Sequence, residues 1–420
     1  MSSARGSGEA GRKGAQGRSD CWIGVELKST GGVTVVLQSK VAGMYGRSIE
    51  ALIAEGCRTM GLRHATVTVE DQGALPFTLA ARLETAVRRA GHQPAAPYLL
   101  PMKPCCEYPT RPDRLRRSRL YLPGNEPKFF VNAGLHQPDG VILDLEDSVA
   151  PAEKDAARCL VRNTLRAVDF RGAERMVRIN QGQLGLEDLA WVVPNNTHLI
   201  LIPKVEVPEQ VVEVDRRIAE LSRECGRREP VLLMPIVESA KGAWLAFEIA
   251  QASPNVVALA IGLEDYTADL GVARTLEGRE SFWARCQVVN GAKAAGVQPI
   301  DTVFSDVDDM DGLRASVREA KSLGFVGKGC IHPRQIPVVH EAMAPDRAEI
   351  DKAKLIVLAF EEAERLGLGV VSLGSKMIDP PVVKRAQTTL AMAQRVGTLD
   401  PDWRDPQLGP EGFPAKECRP

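Results

Sequence analysis

Residues 231–265 read VLLMPIVESAKGAWLAFEIAQASPNVVALAIGLED. Two unbroken apolar runs each end in acid, and a stretch of helical period separates them. Runs of this kind suit parallel strands buried on both faces, joined by a crossover helix. The same pattern recurs on either side. Apolar runs stand at 119–122, 141–143, 176–179, 199–202, 231–236, 256–261, 300–304 and 329–331, with helical stretches at 153–168, 208–225, 240–252, 281–295 and 312–323. Eight strands, each followed by a helix or a loop long enough for one, predict an α/β fold of the TIM (β/α)8 barrel type. No GxGxxG turn follows an early strand, which weighs against a dinucleotide-binding open sheet.

The barrel domain is placed at 116–342. A C-terminal helical arm or lid follows at 343–400, with helices at 347–366 and 381–396 and a Gly/Ser/Pro segment at 369–381 between them; 401–420 is a tail. Upstream, 92–115 carries Pro94, Pro97, Pro101, Pro104, Pro109 and Pro112, the composition of a stiff, extended linker. Residues 18–91 form a small α+β unit. Strands at 21–27 and 33–37 are expected to pair as a hairpin across Thr30-Gly31-Gly32, with helices at 48–60 and 77–90 and a strand at 65–69. Residues 1–17 are rich in Gly, Ser and Arg without apolar periodicity and read as a disordered leader.

The 420 residues carry 53 Lys plus Arg against 54 Asp plus Glu, a net charge of −1, with 44% apolar and 5% aromatic residues. Such a balance lacks the electrostatic footprint of a nucleic-acid or membrane-surface binder. Nine cysteines occur without a CxxC pair or zinc spacing, and only Cys105-Cys106 are neighbours. A reducing, cytoplasmic setting is expected, since no signal-peptide h-region or membrane-length apolar run is present.

On a barrel the chemistry sits at the C-terminal ends of the strands. The polar residues there are Asp144, Glu146 and Asp147, then Arg178 and Asn180, then Lys204, Glu238, Asp265, Lys328 and His332. Glu238 and Asp265 end adjacent strands, so two carboxylates share one stretch of rim. An oxygen-only pair of like charges suits Mg²⁺, with water and substrate oxygens completing the octahedron; helix capping or pairing with rim arginines is the alternative, and Glu264 could replace Asp265. Arg178 can grip a substrate carboxylate bidentately, or pair internally with Asp144 or Glu146. The DLED turn, Asp144 to Asp147, offers acceptors for metal-bound water or starts a helix. Lys204 reads as a structural or orienting lysine, and His332 as structural.

Several segments together resemble the citrate lyase β-chain (HpcH/HpaI aldolase) family. They are RSRLYLPGN, GVILDLEDSVAPAEKDAAR, VRIN, ILIPKVE, MPIVESAKG, IGLEDYTADLG, GKGCIHPRQI and SLGSKMIDPPVVKRA, in order over about 116–396. The resemblance implies an oligomeric barrel (trimer or hexamer), Mg²⁺ on Glu238 and Asp265, and Arg178 on the oxo-acid carboxylate. It also implies that Asp379, in the KMID segment, acts as acid/base in a neighbouring subunit's site. SDCWIGVEL, MYGRSIEAL and VEDQGALPFTLAARLETAVRRA resemble the citrate lyase acyl carrier protein (γ-chain) over about 18–90. Its phosphoribosyl-dephospho-CoA arm would fall on Ser19, although the family's serine aligns one place earlier, on Arg18. The function so implied is cleavage of a citryl thioester to an acetyl thioester and oxaloacetate, with an α-type acyl transferase as a partner. A lyase acting on malyl-CoA or a related free CoA thioester, and a non-catalytic carrier or assembly subunit, are the rival readings.

Overall fold

The computed structural model describes residues 6–14, 17–367, 371–373 and 376–404. The chain divides into two compact units, 1–339 and 340–420.

The first unit begins with a four-stranded sheet. Its strands are β1 (Ser7–Gly11), β2 (Cys21–Leu27), β3 (Val33–Ser39) and β4 (Ala65–Asp71), in the order β1-β2-β4-β3. Helices α1 (Ala42–Thr59) and α2 (Pro76–Arg89) cover one face. Alternation along β2 and β4 turns Cys21, Ile23 and Val25, with Ala65, Val67 and Val69, onto Ile49, Ile53, Leu79, Leu83 and Val87. Each large aliphatic buried here contributes about 1.5–3 kcal/mol.

Two expectations are corrected. Residues 7–11 are not a disordered leader: they pair antiparallel with β2 from Ser7↔Glu26 to Gly11↔Trp22. All but Glu9 are small, because the strand runs against the end of α2. A methyl on Gly8 would collide with the Ala86 carbonyl, so apolar periodicity could not announce this strand. The expected hairpin is also absent. β4 inserts between β2 and β3, antiparallel to the first and parallel to the second, so β3 and β4 are joined by the α1 crossover.

Residues 104–108 run along the base of the barrel. Tyr108 Oη donates to the Ala173 carbonyl at 2.6 Å and its own carbonyl meets His198 Nε2 at 2.8 Å. Cys105 and Cys106 are thiols here; Cys106 is buried, with Sγ 3.3 Å from the Val168 carbonyl.

The eight expected strands are all present: β5 (Ser118–Pro123), β6 (Gly140–Asp144), β7 (Glu174–Arg178), β8 (Leu199–Ile202), β9 (Leu232–Val237), β10 (Ala258–Ile261), β11 (Gln298–Asp301) and β12 (Gly327–Cys330). They form a closed barrel of parallel neighbours, with β12 pairing back on β5. Around them lie α3 (Pro127–Phe130), α4 (Lys154–Ala167), α5 (Gly182–Val192), α6 (Pro208–Glu224), α7 (Ala240–Trp244), α8 (Ala246–Ala250), α9 (Leu263–Leu270), α10 (Arg279–Ala294) and α11 (Met310–Leu323). Ile142, Met176, Leu199, Leu201, Met234, Ala258 and Ile300 fill the interior.

The small sheet unit docks on the barrel through α2 and α4. Arg162 Nη2 meets Glu84 Oε2 at 2.7 Å with both side chains buried, and Asn163 Nδ2 donates to the Phe77 carbonyl at 3.2 Å. Arg82 bonds both oxygens of Asp20 and, at 2.9 Å, the carbonyl of Asn125, just past β5.

The division into units falls inside α12 (Gln335–Met343). The second unit contains α13 (Arg347–Arg365), a two-stranded ribbon of β13 (Val371–Leu373) and β14 (Lys376–Ile378), and α14 (Pro380–Arg395). Its helices pack through Ile350, Val357, Val383 and Leu390. The expected segment at 369–381 and tail at 401–420 lie partly outside the described residues. Among those residues no helix is long and apolar enough to cross a membrane.

Candidate active site

A cavity of about 350 Å³ opens at the C-terminal ends of the barrel strands, lined by Arg119, Tyr121, Asp144, Arg178, Glu238 and Asp265 among others. Parallel register produces this grouping: Pro123, Asp144 and Arg178 stand side by side at the ends of β5, β6 and β7.

Arg178 makes the internal pairing. Its Nε and Nη2 each lie 2.7 Å from an Asp144 oxygen, and Nη1 lies 2.9 Å from Glu146 Oε2. That last contact is off the hydrogen-bond direction, so the buried Oε2 has a charged neighbour but no donor. Burial opposes the Arg178 charge, but Asp144, with Tyr121 and Glu146 adding, raises the guanidinium pKa. Burial pushes the Asp144 carboxyl up, but Arg178 with the Ser148 and Glu146 donors together bring it below its usual range.

Lys204 is the hub of the rim. Its backbone is in the left-handed region at φ 51, a costly conformation for a non-glycine residue. There the Lys204 N–H donates to Glu238 Oε2 at 2.8 Å. Its Nζ lies 3.3 Å from Asp265, 3.4 Å from Glu146 and 3.6 Å from Asp147. Glu238 is only 7% exposed, and burial pushes its carboxyl up to about 7, with Asp265 and Glu146 adding to the rise. It packs against Gly262, where a Cβ would overlap its carboxylate.

This donor set fits a divalent cation. Acid side chains crowd one lysine, and a buried carboxylate oxygen lacks a donor. Among the described residues no three His, Cys, Asp or Glu groups converge on one point, but Mg²⁺ keeps several waters and needs only one or two carboxylates.

Other residues go elsewhere. Glu264 turns outward onto Arg274 Nη1 at 2.6 Å. Asn180 bonds Asp188 through both its N–H and Nδ2. Lys328 is buried on Asp301 at 2.7 Å, and His332 Nδ1 accepts the Arg334 N–H. Asp379 stands in the second unit as the N-cap of α14, accepting the Val382 N–H at 3.1 Å. Ser19, at φ 58, sits in a turn closed by Asp20 N–H to Gly17 carbonyl at 2.8 Å. Two cavity residues, Arg119 and Tyr121, do not stand out from the sequence; their signal is the alternation 119, 121, 123 along β5, which turns all three inward.

The family described as HpcH/HpaI aldolase/citrate lyase matches residues 117–333, and that described as malonate decarboxylase delta subunit (MdcD) matches residues 10–90. Citrate lyase subunit beta of Haemophilus influenzae is 39% identical over 284 residues, 67% of this chain and 98% of that protein. Mitochondrial citramalyl-CoA lyase of Mus musculus is 34% identical over 296 residues, 67% of this chain and 87% of that protein. The crystal structure of protein CitE from Mycobacterium tuberculosis with magnesium, acetoacetate and coenzyme A is 32% identical, with a TM-score of 0.57. That match covers 67% of this chain and 98% of the other.

Proposed function

Given that the chain belongs to the HpcH/HpaI aldolase/citrate lyase family and is a carbon–carbon lyase, we propose that it cleaves a citryl thioester to an acetyl thioester and oxaloacetate. The observation that carries this reading is the gathering of Glu146, Asp147 and Asp265 on Lys204 beside the buried Glu238, at the mouth of a cavity that Arg119 and Arg178 also line.

In the retro-Claisen step a base takes the proton from the tertiary hydroxyl. The oxygen electrons form the oxo-acid carbonyl as the carbon–carbon bond breaks, and the released pair becomes a thioester enolate, which takes a proton on carbon. Glu238 and Asp265 would hold Mg²⁺, which supplies Lewis acidity at the oxo-acid oxygens. Lys204 orients both carboxylates, through its N–H to Glu238 and its ammonium to Asp265. Arg178 takes the oxo-acid carboxylate by sharing its guanidinium with Asp144 and Glu146, and Asp144, Glu146 and Asp147 would accept from water around the cation. Asp379 protonates the enolate carbon from a neighbouring subunit. Asp379→Asn tests this: asparagine caps a helix as well as aspartate, so stability should hold while kcat falls about 10²–10⁴-fold. An unchanged kcat would leave Asp379 a cap only.

Assembly into a homo-oligomer is supported by the exposed Trp244 and Trp283, stacked with centroids 5.4 Å apart, with Phe247 on α8 and Phe282 on α10 also exposed. Ser19 is the proposed attachment point of the prosthetic arm, and an α-type acyl transferase would load it. The buried docking of α2 on α4 and the fixed turn at Ser19 favour a second reading, lyase action on free CoA thioesters such as malyl-CoA. Cleavage of citryl-CoA with and without Mg²⁺ tests the reaction, and the intact mass of the Ser19 peptide tests the arm. An unmodified serine with cleavage intact would leave the free-CoA reading.

A further inference from the structure

The catalytic scheme leaves one cationic residue of the cavity lining unused. Arg119 lies on β5 four residues before Pro123, hence deeper in the barrel than the Asp144–Arg178 pair that stands level with Pro123. It is 1% exposed. Its Nη1 lies 3.2 Å from Met234 Sδ and its Nη2 is 3.3 Å from the Asp301 carbonyl, while Nε has no acceptor. Five N–H donors in a fork built for a carboxylate therefore meet two uncharged partners.

The acid whose backbone carbonyl it meets is already taken. The Asp301 carboxylate receives Lys328 Nζ at 2.7 Å and Arg285 Nε and Nη2 at 3.2 Å each, and Arg285 Nη1 also meets Glu319 at 2.8 Å. Three buried cations, Arg119, Arg285 and Lys328, thus face two carboxylates, and Arg119 is the cation left over. An uncompensated charge inside an apolar barrel is expensive to bury, and the cavity it lines can admit an anion to offset it.

We infer that Arg119 binds a second carboxylate of the substrate, the one at the far end of a dicarboxylic oxo-acid. It thereby selects thioesters whose cleavage releases oxaloacetate over those that release a monocarboxylic oxo-acid such as pyruvate. The inference rests on the lyase reading of this cavity. A molecule held by its oxo-acid head between Arg178 and the Glu238–Asp265 rim extends its CH₂–COO⁻ inward, where Arg119 is the cation without a counter-ion. A site that holds a charged group on a buried partner discriminates strongly against the analogue lacking that group.

The full-length protein is titrated calorimetrically with oxaloacetate and with pyruvate in saturating Mg²⁺. Oxaloacetate should bind tighter by about tenfold or more. Arg119→Met, close in volume to its neighbour Met234, should bring the two acids to parity, and Arg119→Lys should keep part of the preference. The kcat/KM ratio of citryl-CoA to citramalyl-CoA should move with it, whereas a merely structural role would lower both substrates alike. Equal affinities in the unsubstituted protein, or equal weakening of both acids in Arg119→Met, overturns the assignment even if cleavage persists. The first of these needs no variant to fold. Binding of neither acid would sink the lyase reading itself, and the assignment with it.

Discussion

The two ends of the barrel use the same residue types to opposite effect. At the base, Arg116 bonds both oxygens of Glu174 at 2.7 and 2.8 Å with neither side chain exposed, and Arg117 does the same for Asp139 at 2.9 Å. His198 is held between the Arg175 N–H and the Tyr108 carbonyl, and burial pushes its pKa down to about 3. Those two ion pairs are matched within the chain, although Arg175 is buried beside them on the Cys106 carbonyl with Nε and Nη2 unpartnered. At the mouth the matching fails: acids outnumber Lys204, Glu146 Oε2 lacks a donor, and Glu238 is held half protonated near neutrality. Matched charges hold a fold together, whereas unmatched ones at a cavity remain available to a ligand.

The largest expected effect probes the mouth. Asp265→Asn should lower Mg²⁺-dependent cleavage by at least about 10²–10³-fold with little change in melting temperature, since Asp265 is half-exposed. Glu264→Gln should leave cleavage nearly intact, because Glu264 is turned onto Arg274. If the two variants swap behaviour, the metal assignment moves to Glu264.

The base should answer in stability instead. Glu174→Gln strips the partner from a fully buried guanidinium and should cost about 3–5 kcal/mol in denaturant unfolding, with kcat per folded molecule unchanged. A loss of kcat without a loss of stability would break the contrast between the ends.

The smallest effect is a pH dependence. With Glu238 raised to about 7, a proton competes with the cation below that pH. Mg²⁺ affinity should therefore rise with pH by up to about tenfold per unit until about pH 7 and then level off. For the metal-free protein the sign is opposite for folding. The folded carboxyl holds its proton where the unfolded one has lost it, so stability falls as pH rises from the usual glutamate range through about 7. Calorimetric Mg²⁺ titrations from about pH 5.5 to about 8.5, a range that brackets that value, check the first trend, and a flat profile would show that Glu238 is not a ligand.

Much of this arrangement is legible in the sequence. The eight strands can be read because burial on both faces leaves an unbroken apolar run, as in LILI and ALAI, and because the residue ending each run faces the mouth. Glu238, Asp265 and Lys204 follow from that rule alone. β1 is not legible, since a strand packed against a helix end needs small residues and leaves no apolar trace. Nor is the β2-β4-β3 order, because Gly31-Gly32 permits a hairpin without requiring one.

Sequence periodicity is enough to establish the barrel and its polar rim, because it records which way each side chain faces. Which charges meet is decided by tertiary packing alone. Arg178 is taken by Asp144, Glu264 by Arg274 and Asp301 by Lys328 and Arg285, and Arg119 is left without an acid. Charged partners in this fold lie up to 78 residues apart in the chain. They are chosen by strand register and helix packing, which no local pattern encodes.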